Sequence, residues 1–196
     1  MSTSEMTLFF VMLAAFGFAA IVAALLIGII RLVTGETPAI VDTVRPYALA
    51  IAFLAATVSM LGSLYYSEIA GFRPCKLCWY QRYMMYPSSI LLGLALLTKR
   101  MLWAKIALGL SVVGLGISTY HRLEQQFPAS VGGACDLDNP CSGRYVNEFD
   151  FVTIPTMAWV GFGLVIVFTT LALATARTAK ADLESVTSNA TLQENL

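Results

Sequence analysis

The chemistry this sequence offers rests first on its four cysteines, which fall into two close pairs, Cys75 with Cys78 and Cys135 with Cys141. Paired cysteines exchange disulfides. A thiolate attacks a disulfide sulfur, a mixed disulfide forms, and electrons move two at a time. The first pair stands in the run Cys75-Lys-Leu-Cys78-Trp-Tyr-Gln-Arg82, which leads into an apolar stretch, so Cys78 is expected in the first turn of a helix. The partial positive charge of a helix N-terminus lowers a thiol's pKa and favours the thiolate, the attacking species. Arg82 follows Cys78 by four residues, which places a permanent cation on the same helix face.

The second pair, Cys135-Asp-Leu-Asp-Asn-Pro-Cys141, lies in a polar and aromatic segment that also contains Gly132, Gly133, Pro140 and Gly143. Such a loop is mobile enough to present a disulfide to a soluble partner and return it to the first pair. The small exposed ring that this bridge closes suits a relay better than a structural staple. His121 is the only histidine in the chain. Near the helix ends it offers proton delivery to a reduced acceptor, with a plain surface position as the alternative.

Plainer readings of the same residues compete. Two structural disulfides need no redox role. A zinc site of four cysteines fits poorly, because five residues separate Cys135 from Cys141 where zinc knuckles usually have about two to four. Arg82 can be an interfacial anchor, and Trp79, Tyr80, Tyr83 and Tyr86 an aromatic belt at the membrane boundary.

The elements that position these residues follow from composition. With 58% hydrophobic residues and only 12% charged ones, the chain is far more apolar than an ordinary soluble domain. Twelve basic and twelve acidic residues cancel, so no cationic surplus points to nucleic acid. The charge-free stretches Thr7 to Ile30, Pro46 to Ser67 and Phe151 to Ala176 each exceed the roughly 20 residues that a membrane-spanning helix needs. Two shorter runs, Tyr83 to Thr98 and Ile106 to Tyr120, must recruit their flanks, Cys78 to Arg82 for one and Met101 to Lys105 for the other. The expected fold is therefore an all-α integral membrane protein of five spans. The leader before Thr7 has no positive charge, and the apolar run is too long for a signal core, so the first run is read as a true helix. Residues 177–196 form a polar tail expected to be disordered.

Two crossings separate the cysteine segments, so they share one side of the membrane whatever the orientation. Arg31, Arg45, Lys99, Arg100, Lys105, Arg177 and Lys180 fall on one face, against Arg73, Lys76, Arg82, Arg122 and Arg144 on the cysteine face. By the positive-inside rule the first set is cytoplasmic. Paired cysteines that persist as disulfides also belong outside the reducing cytosol. The N-terminus is then outside and the C-terminus cytoplasmic.

The run from Cys75 to Arg82, followed by Tyr86-Pro87, the later Cys-x5-Cys loop and Phe151-Val-Thr-Ile-Pro155, resembles the DsbB/BdbC family of disulfide-bond formation proteins, with the close second spacing nearer the BdbC branch. The resemblance spans roughly residues 46 to 176 and implies a four-helix bundle there, with residues 1–45 outside it as one additional N-terminal transmembrane helix and a cytoplasmic loop. It implies a membrane thiol:quinone oxidoreductase that reoxidises a thioredoxin-fold, DsbA-like dithiol oxidase and passes electrons to ubiquinone or menaquinone. By motif position, Cys78 would be the cysteine next to the quinone and Arg82 would lie near it. Cys75 would exchange with the loop pair. Cys135 would form the mixed disulfide with the partner, leaving Cys141 to link with Cys75. His121 falls near a family histidine and is assigned with Arg82 to the quinone side. The small residues Gly109, Gly114, Gly116 and Ser118 would let helices pack closely around the quinone slot. A vitamin K epoxide reductase type of enzyme shares the helix-start Cys-x-x-Cys but not the Tyr-Gln-Arg continuation. A transporter stapled by two disulfides lacks the mid-span ionisable residues that transport sites usually show.

Overall fold

The computed structural model describes residues 3–128, 135, 138–149 and 151–194. Gly132 and Gly133 lie outside these. The described residues form helices α1 (Thr3–Thr34), α2 (Ala39–Val44), α3 (Ala48–Leu64), α4 (Lys76–Thr98), α5 (Met101–Gln126) and α6 (Ile154–Glu194), and no strand is present among them. Helices α1, α5, α6 and the stretch Ala39–Ile69 that contains α3 are long and apolar enough to cross a membrane. Helix α4 begins with the polar residues Lys76, Gln81 and Arg82 and is less apolar overall, yet its 23 residues span about 35 Å at roughly 1.5 Å each. The protein is a multi-pass membrane protein.

Helices α3, α4, α5 and α6 pack as a ring of neighbours, α3 on α4, α4 on α5, α5 on α6 and α6 back on α3. Alanine and serine dominate the seams because small side chains let helices approach where lipid supplies no hydrophobic drive to associate. Ala52, Ala56, Leu92, Ala95, Ala104, Ala107, Phe162 and Val165 form the centre of the core. Polar contacts tie the layers together. The hydroxyls of Thr57 and Ser89 lie 2.9 Å apart, and Ser111 donates toward Ser88 at 3.5 Å.

The glycines divide by use. Gly114 faces Phe162 so closely that an added Cβ would overlap the ring, whereas Gly109 and Gly116 meet nothing within 4 Å. Close packing in this span therefore rests on Gly114 and the fully buried Ser118, not on all four small residues. Helix α1 docks on α6 by the same device. A Cβ on Gly17 would come within 2.7 Å of Val160, and one on Gly163 within 2.7 Å of Ile21. The outer face of α1, including Leu8, Met12 and Phe16, stays exposed, as suits a lipid-facing surface.

The tail departs from expectation. Helix α6 continues without a break to Glu194, where disorder was expected from Arg177. The segment 177–194 is rich in Ala, Thr, Ser and Glu but contains neither Gly nor Pro to stop a helix, and Lys180 pairs with Glu184 one turn on at 3.6 Å. Its residues from Arg177 to Thr187 are exposed, so local helix propensity rather than packing sustains it.

A test of the packing follows from the glycines. Gly114→Val should destabilise the protein by about 1–3 kcal/mol, the usual cost of overpacking, while Gly116→Ala stays within about 0.5 kcal/mol of wild type. Thermal unfolding in detergent, followed by circular dichroism, reads both.

Candidate active site

The site is built around the start of α4. Pro74 disfavours helix for the residues before it, and Cys75 is extended (φ −75°, ψ 174°) and acts as the N-cap, its carbonyl accepting from the Trp79 amide at 3.1 Å. Cys78 then sits in the first turn. The two thiols are free, Cys75 buried and Cys78 half-buried, with their sulfurs 3.2 Å apart.

Cys135 and Cys141 form a disulfide with a Cα–Cα separation of 5.7 Å. Contrary to the expected exposed ring, Cys141 is only 1% exposed, and the half-buried Cys135 is the accessible end. Side chain to backbone bonds seat this loop on the bundle. Asn139 Nδ2 donates to the Pro74 carbonyl at 3.1 Å, Gln125 Nε2 to the Gly143 carbonyl at 3.2 Å, and Arg144 to the Gln125 carbonyl at 2.8 Å. Stacked rings close the same junction, Phe72 on Tyr145 with centroids 5.0 Å apart and Tyr66 on Phe72 at 5.7 Å. As a result the sulfurs of Cys75, Cys135 and Cys141 all lie within 4.8 Å of one another. Disulfide exchange between the pairs needs no large movement from this arrangement.

His121 stands between the pairs. It is 2% exposed, with Nε2 3.6 Å from Cys75 Sγ and 3.1 Å from the Cys141 carbonyl. As assigned from the hydrogen-bond network, Gln81 Nε2 donates to His121 Nδ1 at 3.2 Å, leaving Nε2–H to point at sulfur and carbonyl. His121 thus sits against the sulfur cluster and is not among the residues lining the cavity described below. The thiol that the surroundings hold low is Cys75. Its hydrogen bond with Cys78 is the main cause, burial opposes it, and the contact with His121 pulls in the lowering direction. The helix terminus and Arg82 on the same face point to a thiolate on Cys78. The N-cap sulfur instead collects both the neighbouring thiol and the imidazole.

Arg82 is 8% exposed and fixed by α3, donating through Nε to Ser63 Oγ at 3.0 Å and through a terminal nitrogen to the Ser63 carbonyl at 2.9 Å. Its guanidinium also lies 5.2 Å from the Trp79 ring centroid, within cation–π range. A wide π-helical turn, Tyr65–Ile69, continues α3 just beyond Ser63. Such turns shift the hydrogen-bond register and release carbonyls for other partners. The aromatic residues of α4 split. Trp79, Tyr80 and Tyr83 are exposed, while Tyr86 turns inward.

Cys78, Arg82 and Tyr86 line a cavity of about 330 Å³ between α3, the start of α4, α6 and α1. Most of its wall is apolar, with Val58, Met85 and Met157 among the contributors. The Tyr86 hydroxyl is buried and has no hydrogen-bond partner among the described residues, a free donor on a largely apolar wall. Ligand atoms of Cys75, Cys78 and His121 also lie within 4.8 Å of one another, a set with the softness for a thiophilic metal ion.

Sulfur pairs in exchange range at one end of a membrane bundle, one of them opening onto an apolar cavity, define a membrane-embedded thiol–disulfide oxidoreductase. Residues 45–179 match the family model described as disulfide bond formation protein DsbB, and the chain belongs to that family. It is similar to disulfide bond formation protein C of Bacillus subtilis (strain 168), 45% identical over 117 residues that cover 59% of this chain and 85% of the relative. A probable disulfide formation protein C 1 of Bacillus anthracis is 46% identical over 119 residues, 60% of this chain and 86% of the relative. A probable disulfide formation protein of Oceanobacillus iheyensis is 42% identical over 127 residues, 64% of this chain and 88% of the relative. No solved structure gives a significant match. The protein is an oxidoreductase of disulfide-bond formation, and that activity requires a partner that exchanges thiols with it.

Gln81, Ser63, Asn139 and Tyr145 escaped sequence reasoning. Only Gln81 had a visible signal, its place between Cys78 and Arg82 in the motif.

The lowered Cys75 pKa has a direct readout. With the protein reduced, Cys75 should be alkylated by iodoacetamide at pH values below the ordinary thiol range near about 8.5. Removing a lowering contact raises the pKa, so Cys78→Ala should move the rate profile furthest to higher pH and His121→Ala by less. Peptide mass spectrometry of Cys75 across pH checks this, and unchanged profiles in both variants would refute the assignment.

Proposed function

We propose that the protein reoxidises an extracytoplasmic thioredoxin-fold, DsbA-like dithiol oxidase through Cys135 and Cys141, and hands the electrons by way of Cys75 and Cys78 to a membrane quinone. The observation that carries this reading is the double placement of the first pair: Cys75 within 4.8 Å of both loop sulfurs, Cys78 on the cavity wall. The bundle of residues 46–176 holds this machinery, with the cysteine loops and N-terminus outside and the C-terminus in the cytoplasm.

The residues divide the work as follows. A partner thiolate attacks Cys135, the accessible sulfur, and Cys141 leaves as thiolate. Cys141 attacks Cys75 of an oxidised Cys75–Cys78 pair, and Cys78 is released facing the cavity. The partner's second thiol resolves the mixed disulfide at Cys135, and Cys135 then attacks Cys141 and frees Cys75. The balance is one partner disulfide formed, one Cys75–Cys78 disulfide reduced and the Cys135–Cys141 bridge restored. A bridged loop pair beside a free Cys75 and Cys78 is the distribution present in the structure. His121 donates toward Cys75 and so eases its departure, since a thiol of lower pKa leaves faster.

The cavity residues fit a quinone. Its volume of about 330 Å³ stands at the low end of small-molecule pockets, roughly 300–1,000 Å³, enough for a ring and the first part of a tail. Arg82 and the unpartnered Tyr86 hydroxyl supply a cation and a donor for ring oxygens in an apolar wall. Bound there, a quinone would supply a two-electron, two-proton acceptor.

Quinone reduction by the purified protein, fed with a reduced thioredoxin-fold partner, tests the relay. Cys78→Ser and Cys135→Ser should each abolish turnover while folding persists, and a reduced partner lacking its second thiol should accumulate as a mixed disulfide on Cys135 of the wild-type protein, with Cys141 released as thiolate. Turnover surviving in either Cys78→Ser or Cys135→Ser would overturn the two-pair relay. Labelling of the cysteines by an impermeant thiol reagent from the cytoplasmic side alone would overturn the orientation.

A further inference from the structure

Helix α1 lies outside the region shared with the DsbB family, which begins at residue 45. Nothing in the thiol chemistry uses it, yet it is not a loose anchor. Thr7, Val11, Gly17 and Ile21 are buried along one face, and the close approaches at Gly17 and Gly163 fix its register on α6. That register carries Phe10, Leu13 and Ala14 into the wall of the cavity that Cys78, Arg82 and Tyr86 also line. The Phe10 ring lies over Gly62 of α3, where an added Cβ would stand 3.2 Å from it, and packs on Tyr65 and Tyr66 with centroids 6.0 and 5.7 Å away. The four-helix ring alone would leave this side of the cavity open to lipid.

We propose that α1 is the lateral wall of the quinone slot and that Phe10 and Leu13 set how tightly the quinone ring and its adjoining isoprenoid unit are held. The proposal rests on the quinone reading of the cavity given above. An open groove exchanges its occupant freely with the bilayer. A protein wall replaces mobile acyl chains with fixed apolar contacts and narrows the route of entry and exit. Phe10 is a specificity-determining residue in this account, and Gly62 is its seat.

The test is equilibrium binding, independent of turnover. Short-chain ubiquinone and short-chain menaquinone are titrated into the full chain in lipid nanodiscs, with binding read from quenching of tryptophan fluorescence. Phe10→Ala and Leu13→Ala should each weaken the tighter of the two by about tenfold, the scale of uncovering one large apolar side chain. Gly62→Ala, which displaces the Phe10 ring without touching α1, should weaken it in the same direction. Phe16→Ala, on the exposed face of the same helix at 71% exposure, should bind as wild type. The rate of mixed-disulfide formation between a reduced thioredoxin-fold protein and Cys135 should be unchanged in all four variants. Wild-type binding with no loss in Phe10→Ala, Leu13→Ala or Gly62→Ala would overturn the wall and leave the quinone reading standing. Equal losses in Phe16→Ala would reduce α1 to a general support and also overturn it. No binding of either quinone by the wild type would overturn the quinone reading and this inference together.

Discussion

Thiol exchange works in contact with water-borne partners, whereas an apolar electron acceptor resides among lipid tails, and a protein that joins them needs one sulfur pair reaching both. The start of α4 meets that constraint. Cys75 is the N-cap and points into the loop cluster, and Cys78, three residues on and within the first turn, reaches the cavity wall. A Cys-x-x-Cys spacing spans a single helical turn, so the sulfurs stay 3.2 Å apart while their outer sides meet different surroundings. Shifting the helix start by one residue would rotate both sulfurs by about 100° and break one connection or the other. Pro74 and the extended Cys75 backbone are what hold that start in place.

Burying two cysteine loops against a bundle end would strand many backbone polar groups, and the side chains around the site answer that cost. Gln125, Asn139 and Arg144 each satisfy a loop or helix-end carbonyl, and His121 satisfies the Cys141 carbonyl while it touches Cys75. These bonds have a second effect. They hold Cys141 inside and leave Cys135 toward the surface, so the two ends of one disulfide are made unequal by burial alone. In the proposed relay an incoming thiolate then has one accessible sulfur to attack, and direction in the exchange follows from solvent access before any difference in reduction potential is invoked.

Much of the architecture was legible because it depends on local or countable properties. Apolar run length gave the spans from Thr7, Pro46 and Phe151, the parity of crossings put both cysteine loops at one end, and the Cys75 to Arg82 run located the helix start. Relations across the bundle were not legible, since no local period encodes them. Trp79, Tyr80, Tyr83 and Tyr86 look equivalent in sequence, and only the packing of α3 and α6 turns Tyr86 inward and leaves the others exposed. His121 was read toward the acceptor because both sites lie near one boundary, but Gln81, forty positions earlier, orients its ring toward Cys75. Gly109, Gly114 and Gly116 differ only in which one faces Phe162. The tail misled for another reason. Its composition lacks a buried face, which argues against packing but says nothing against a helix that extends from one already formed, where nucleation has been met.

Arg82 joins these levels. A guanidinium stays charged at any pH a protein meets and is costly to place beside lipid unless its donors are satisfied. Ser63 supplies both an oxygen of its hydroxyl and its carbonyl, and Trp79 supplies a ring face, so among the described residues the charge is held without a carboxylate partner. A carboxylate would have neutralised the positive field on the cavity. Neutral acceptors satisfy the geometry and leave that field intact, which is what an acceptor gaining negative charge requires. The widened turn after Ser63 belongs to the same arrangement. It carries Tyr65 and Tyr66 against Phe10 of α1, so the helix outside the shared family region and the cation inside it are seated on adjoining residues of one segment.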